Sequence, residues 1–379
     1  MVFARRADYA GCRAGTISPR GWRFRHADAF RSGGGGRLPK APPPRTPAAP
    51  QAGAFDPEIE DRSSIEEPAM SLRPSEDRCS SLPLGGLWPA LLTPLDPAGQ
   101  PAWDVLEHLV ELYIAQRLDG LYVGGSTGQW PLLTVPERET LAERVIRTAA
   151  GRIPVMVHVG ATSTADAVRL ARHAASVGAQ AVSTVAPTYY PHSADVVFEY
   201  YRAVGQAAES PLYVYHLSMV NQLRLPPEDY VARLLSLPRI AGMKITDLDL
   251  NLFGLIRAHA GDRLRLFSGA DEVLCHAVLS GSVGAIGSFY NLWGPACRQA
   301  RDAMVRGDVA AATDFTRRFQ LAISRILGSG SLWSFLRAAM LRRYRLDIGM
   351  PRPPLGTLSR TWDDRQVAEL LALVDPEAA

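Results

Sequence analysis

From about residue 85 onward, eight short apolar runs alternate with segments of helical period, and that rhythm is what most limits the fold. The runs are 87–92, 119–124, 154–159, 181–186, 211–216, 240–245, 264–268 and 283–287. Between them, apolar residues recur at helical spacing over 101–117, 135–150, 163–177, 194–208, 226–236, 249–260 and 271–280. Runs apolar on both faces suit a parallel sheet covered by helices. Eight strand–helix units of this length predict an α/β chain folded as a (β/α)8 TIM barrel over 83–306. Further helical segments over 308–327, 331–344 and 363–374 predict a C-terminal helical extension spanning 307–379, with a Pro-rich hinge at 351–354. A doubly wound open sheet would want a Gly-rich phosphate turn after its first strand. The Gly cluster Gly124-Gly125-Ser126-Thr127-Gly128 instead follows the second run, without the spacing of a nucleotide fingerprint.

Residues 1–80 have a different character. They are rich in Arg, Gly, Pro and Ala, with Gly33 to Gly36 and Pro42-Pro43-Pro44, and show neither period. Such a composition cannot bury enough apolar area to offset its ordering entropy. Two readings stand: a disordered extension, or an over-long reading frame whose true start lies near Met70. The first 80 residues hold 13 of the 41 Lys and Arg and 10 of the 38 Asp and Glu, which leaves 28 of each in 81–379. The body is therefore neutral and offers no basic face for nucleic acid. Cys12, Cys79, Cys275 and Cys297 have neither a CxxC nor a zinc-type spacing, so no metal site is expected. No apolar run approaches the ~18–20 residues that span a bilayer. Arg5-Arg6 is not followed by the apolar segment a signal peptide needs, so a cytoplasmic body is expected, with no membrane partner.

Within that body lysine is nearly absent. The chain has two lysines, Lys40 in the Pro/Gly-rich stretch and Lys244 at the end of the sixth apolar run. Arginine can replace lysine as a surface charge but not as an amine nucleophile, because its guanidinium stays protonated. In a barrel the site sits at the C-terminal ends of the strands. The sixth run places Lys244 and Thr246 there, and the fifth places Tyr215-His216. The second leads into Ser126-Thr127, the fourth into Tyr189-Tyr190, the seventh into Gly269-Ala270-Asp271-Glu272 and the eighth into Ser288. A desolvated lysine can attack a keto carbonyl, and the iminium then serves as an electron sink for an adjacent carbon–carbon bond. A phenol such as Tyr215 can relay the proton. Glycines let backbone N–H groups near a helix start approach an anion such as a carboxylate. Each feature also has a plainer reading. Tyr215 can be a rim aromatic, the glycine loop an ordinary turn, Asp271 and Glu272 first-turn acids of a helix, and His216 a satisfied strand-end histidine.

These residues in this order resemble the dihydrodipicolinate synthase / N-acetylneuraminate lyase superfamily, class I aldolases that use pyruvate. The resemblance covers about 83–357 and rests on GGSTG at 124–128 and GMKIT at 242–246, 118 residues apart. It implies that Lys244 forms a Schiff base with pyruvate and that Tyr215 relays protons. It implies that Ser126 and Thr127 hold the carboxylate and that Tyr189 reaches a neighbouring subunit's site in a homotetramer. No cofactor is implied beyond the covalent imine. APTYYPHS, VYH, GADE and GSFYN are similar to the lyase branch, where Thr246, Gly269, Asp271, Glu272 and Ser288 would contact a sugar acid's hydroxyls. The expected activity is cleavage or formation of a 2-keto-3-deoxy sugar acid or related 2-keto acid. The synthase branch, condensing pyruvate with aspartate semialdehyde, carries an arginine just past the relay tyrosine; residues 217–222 have none. A keto-acid-binding barrel without turnover is the non-enzymatic alternative. Three positions depart from the family pattern and leave the identity of the substrate open: Gln129 for Glu, Ser218 for Pro, and Phe289 for a small polar residue.

Overall fold

The computed structural model describes residues 84–220 and 225–376. The expectation of a disordered extension over 1–80 lies outside these residues. The strands are β1 (Gly86–Pro89), β2 (Leu121–Val123), β3 (Val155–His158), β4 (Ala181–Val185), β5 (Leu212–Leu217), β6 (Ile240–Thr246), β7 (Arg265–Ser268) and β8 (Gly284–Gly287). The helices that follow them are α1 (Trp103–Ala115), α2 (Val135–Ala149), α3 (Thr164–Ser176), α4 (Ala194–Ala207), α5 (Pro227–Leu235), α6 (Leu250–Ala260), α7 (Leu274–Leu279) and α8 (Tyr290–Val305). The chain ends in α9 (Val309–Gly328), α10 (Leu332–Tyr344) and α11 (Asp364–Val374). The strands are parallel and ordered β1-β8-β7-β6-β5-β4-β3-β2. A parallel bridge between Ala90 and Tyr122 brings the two ends of that order together. The predicted (β/α)8 barrel with extra C-terminal helices is thus the observed fold.

Local sequence explains the element boundaries. Thr134 caps α2 in a reciprocal box with Glu137, and Pro136 lies in its first turn. Ser163, Ser193, Asp249, Asp308 and Asp363 each accept a backbone N–H at the start of α3, α4, α6, α9 and α11. The first strand was expected to run to residue 92 but ends at Pro89. The reason is a change of neighbour: the Ala90 N–H donates to Gly287 of β8, whereas the Leu91 N–H donates to Tyr122 of β2. Pro295 inside α8 removes a backbone donor, and the helix bends at Trp293.

Strand residues alternate between two cores. Leu87, Leu121, Val155, Val157, Val182, Val214, Met243 and Leu266 belong to the large core shared with the helices. Trp88, Tyr122, Met156, Ala181, Tyr213, Phe267 and Ile286 form a separate cluster inside the barrel. Full burial of such side chains stabilises by roughly 1.5–3 kcal/mol each. Two residues further along β3, β4, β5 and β6, the inward positions are His158, Ser183, Tyr215 and Lys244. The apolar plug is thus followed by a polar layer at the C-terminal mouth. A bulge between Leu212 and Tyr213 sets the β5–β6 register there, and Gly242 lets the β6 backbone pass close to Arg265 and the Tyr213 ring. Among the described residues no helix is long and apolar enough to cross a membrane.

Candidate active site

Lys244 is the centre of the polar layer. Parallel pairing sets Tyr215 of β5 beside it and Phe267 of β7 on the other side. The lysine is 4% exposed, and its Nζ lies 4.4 Å from the Tyr122 ring centroid and 4.5 Å from that of Tyr215. No carboxylate lies within ion-pair distance of it among the described residues. Burial pulls its pKa below the ordinary lysine value, opposed by Tyr215 and the more remote Asp271. The Tyr215 hydroxyl favours the charged form of the amine, and it receives a hydrogen bond from Thr246 Oγ1 at 3.5 Å. Gly269 of the seventh unit leaves the space that Thr246 Oγ1 and Lys244 Cε occupy; a Cβ there would collide with both.

The glycine loop follows β2. Gly124 has φ +65°, a left-handed conformation, and a Cβ on Gly125 would run into the Tyr122 ring. Thr127 is buried, its Oγ1 2.7 Å from Ser288 Oγ. Thr93 Oγ1 donates to the Gly128 carbonyl at 2.9 Å. Ser126 is half-buried beside them. No protein acceptor is found for the N–H groups of Gly125, Ser126 and Thr127 among the described residues. A turn that leaves successive backbone donors free suits an anion.

Asp271 and Glu272 occupy a 3-10 turn, Asp271–Val273, ahead of α7. Asp271 does not serve that helix. Its Oδ2 accepts the N–H groups of Ser288 at 3.0 Å and Phe289 at 3.4 Å, so it caps the turn between β8 and α8. Its Oδ1 is buried without a partner. Burial, reinforced by the neighbouring Glu272, pushes its pKa up to about 6. The Glu272 carbonyl accepts Gln320 Nε2 of α9 at 2.8 Å, which ties this turn to the C-terminal helices.

Lys244, Tyr215, Thr246, Gly269, Asp271, Ser288 and the Ser126-Thr127 loop therefore meet at one end of the barrel. Tyr189 is not gathered with them. It is 87% exposed, has φ +82° and rests edge-on against Tyr190 with centroids 4.9 Å apart. His216 faces outward, its Nδ1 3.3 Å from the Tyr230 hydroxyl. Two of the three sequence departures turn out to be packing features. Gln129 Oε1 accepts the Arg352 N–H at 2.9 Å and its Nε2 donates to the Thr93 carbonyl at 3.3 Å. Phe289 is buried, stacked on Trp293 and edge-on to Phe319.

Sequence reading missed four residues of this layer. Tyr122 offers its ring to Lys244 and donates its hydroxyl to Ser183 Oγ at 3.1 Å; burial holds that phenol well above its ordinary pKa and so protonated. His158 lies between the rings of Tyr122, Trp130 and Tyr215. Arg138 of α2 is buried behind it, donating to the carbonyls of His158 at 2.8 Å and Gly160 at 2.9 Å. His158 ends β3, and counting inward positions back from the ends of β2 and β4 would have found Tyr122 and Ser183. Among the described residues no three His, Cys, Asp or Glu side chains cluster to hold a metal.

A buried amine with a lowered pKa, a tyrosine ring packed against it and a loop of free N–H groups together suit covalent chemistry on a small carbonyl acid. Comparison with known proteins points the same way. The family model described as the dihydrodipicolinate synthetase family matches residues 83–372. The chain is 34% identical to an N-acetylneuraminate lyase from Citrobacter koseri over 291 residues, 76% of this chain and 96% of that one. Among solved structures, the Proteus mirabilis N-acetylneuraminate lyase superposes with TM-score 0.70 at 28% identity, covering 78% of this chain and 99% of that one. A putative dihydrodipicolinate synthetase from Pseudomonas aeruginosa also reaches 0.70, at 25% identity over 77% and 98% of the two chains. With fold, site order and sequence in agreement, this chain belongs to the dihydrodipicolinate synthetase family and stands within it beside the N-acetylneuraminate lyases.

Proposed function

We propose that this protein is a lysine-dependent lyase, or aldolase in the reverse direction, acting on a 2-keto-3-deoxy sugar acid or a related 2-keto acid with pyruvate as one product. The observation that carries the reading is Lys244, a buried amine without a carboxylate partner whose Nζ lies against the rings of Tyr122 and Tyr215. The Nζ lone pair attacks the C2 carbonyl, and loss of water leaves an iminium. In the cleavage direction Tyr215 takes the C4 hydroxyl proton and the C3–C4 bond breaks. An aldehyde departs, and the bonding pair moves into the iminium to form an enamine. Protonation at C3 and hydrolysis by one water release pyruvate and free Lys244. The imine needs no metal or organic cofactor.

Ser126, Thr127 and the free N–H groups of their loop are assigned to the carboxylate. Thr246, Gly269, Asp271, Glu272 and Ser288 are assigned to the hydroxyl-bearing half. The only cationic side chain in the described mouth layer besides Lys244 is Arg138, which is engaged with two carbonyls, whereas burial keeps His158 neutral. The mouth is therefore better suited to a neutral polyol than to a second carboxylate, which favours the lyase over the synthase reaction. Tyr189, exposed on one chain, is assigned to a second subunit's site in a homotetramer, and a cytoplasmic setting is part of the same reading. The test is pyruvate release from a panel of 2-keto-3-deoxy sugar acids, with aspartate semialdehyde condensation run alongside. Sugar-acid cleavage supports the reading. Turnover with the semialdehyde alone replaces it with the synthase reading, and keto-acid binding without turnover replaces it with a silent barrel.

A further inference from the structure

The two halves of the glycine loop are held from different sides. Its C-terminal half is fixed by the segments that follow β1 and β8, through Thr93 on the Gly128 carbonyl and Ser288 on Thr127. Its N-terminal half meets the inward face of β3, where His158 Nδ1 lies 3.0 Å from the Gly124 carbonyl oxygen. A carbonyl oxygen only accepts, so Nδ1 carries the hydrogen of this bond. Burial, with Arg138 and Lys244 nearby, holds the imidazole pKa well below its ordinary value. A neutral ring with hydrogen on Nδ1 has a bare lone pair on Nε2, and Nε2 is indeed buried without a partner.

The ring has little freedom to do anything else. It is 1% exposed, and its centroid lies 5.5 Å from that of Trp130, 6.1 Å from that of Tyr215 and 6.2 Å from that of Tyr122. Arg138 grips the backbone at His158 and again at Gly160. Gly124 itself sits in a left-handed conformation that a flexible loop could leave. The peptide joining Gly124 to Gly125 is planar and trans, so its carbonyl and its N–H point in opposite directions. Holding the Gly124 carbonyl toward β3 therefore turns the Gly125 N–H the other way, at the start of the run of free donors that continues through Ser126 and Thr127.

We propose that His158 is a positioning residue for the carboxylate of the keto acid: its Nδ1–H holds the Gly124 peptide so that the loop's free N–H groups stay aimed at the anion. The proposal rests on the reading that this loop takes the carboxylate and Lys244 the carbonyl. It assigns the work to one ring nitrogen, which makes it separable from simple packing. Asparagine can place an amide N–H near the position of Nδ1, whereas glutamine reaches the position of Nε2 and misses the Gly124 carbonyl.

The experiment is borohydride trapping of Lys244 at increasing pyruvate, read by intact mass, on wild type, His158→Asn and His158→Gln, with melting temperatures alongside. The half-saturating pyruvate concentration should stay within about threefold of wild type for Asn and rise about tenfold for Gln. The limiting trapping rate should change little in either. Equal shifts in the two variants, or no shift in either, overturn the proposal. If His158→Gln fails to fold, His158→Leu, which has no donor, takes its place: a tenfold rise for Leu with Asn near wild type supports the role, and equal half-saturation in the two overturns it. Absence of any adduct on wild type would sink the imine reading itself, which is a different result from an adduct whose pyruvate dependence ignores His158.

Discussion

The shell and the mouth of this barrel treat charge in opposite ways. In the shell every ion pair among the described residues is made by an arginine or, once, by His173. Arg152 meets Glu111 and Arg352 meets Glu137, each at 2.5 Å. In the mouth the single described lysine has ring faces and a phenol around it instead of a carboxylate. The acids mirror this. Arg352 leads the causes that hold Glu137 down at about 2, whereas burial holds Asp271 up at about 6. Paired charges in solvent keep their charge at neutral pH, and unpaired groups in a desolvated layer are moved toward neutrality. The second condition is the one a nucleophilic amine requires.

The comparison breaks most sharply at Lys244. Lys244→Arg keeps the cation and removes the nucleophile, and kcat/KM should fall roughly ten-thousand-fold or more. Substantial retained activity would mean that charge alone suffices. Tyr215→Phe keeps the ring beside Nζ and removes the hydroxyl. It should lower kcat about 100- to 1000-fold while the variant still traps pyruvate, which separates relay from imine formation. The two acids should give opposite pH slopes of stability, on the order of 1–2 kcal/mol each. Glu137 has a folded pKa below its unfolded value, so its contribution is present above 4.5 and is lost as pH falls toward 2. Glu137→Gln should remove that acid-side loss in denaturant titrations. Asp271 has a folded pKa above its unfolded value, so its contribution fades as pH rises from 3.8 to about 6. Asp271→Asn should flatten that slope, and an unchanged slope would place the buried proton elsewhere. The smallest effect belongs to the surface. Arg365, paired with Glu369 where both are well exposed, should accept Lys with a change in melting temperature of about 1 °C or less.

How much could be read from the chain itself follows the same division. The strands and helices were legible because burial on both faces leaves a continuous apolar run, and caps such as Thr134 and Asp363 mark helix starts. The candidate site residues were legible where they stand near strand ends, as Lys244, Tyr215 and Ser288 do. Tyr122 and Ser183 were not, because a strand buried on both faces hides which of its residues point inward; His158 ends β3 and was passed over among the strand-end residues. Asp271 looked like a first-turn acid because sequence shows the helix that follows it and not the β8–α8 turn packed across from it. Gln129 and Phe289 showed in the sequence only as departures from the family pattern that put the substrate in doubt. Their partners, Arg352 and the Trp293–Phe319 aromatic set, lie too far along the chain for local pattern to connect.

The most direct measurement is the site of the covalent adduct. The whole chain contains two lysines, Lys40 and Lys244, so peptide mapping after borohydride reduction with pyruvate has few places to assign a reduced imine. The account predicts a pyruvate-dependent adduct on Lys244 that Lys244→Arg abolishes. Cleavage of substrate with Lys244 unmodified, or an adduct that persists in Lys244→Arg, would contradict it.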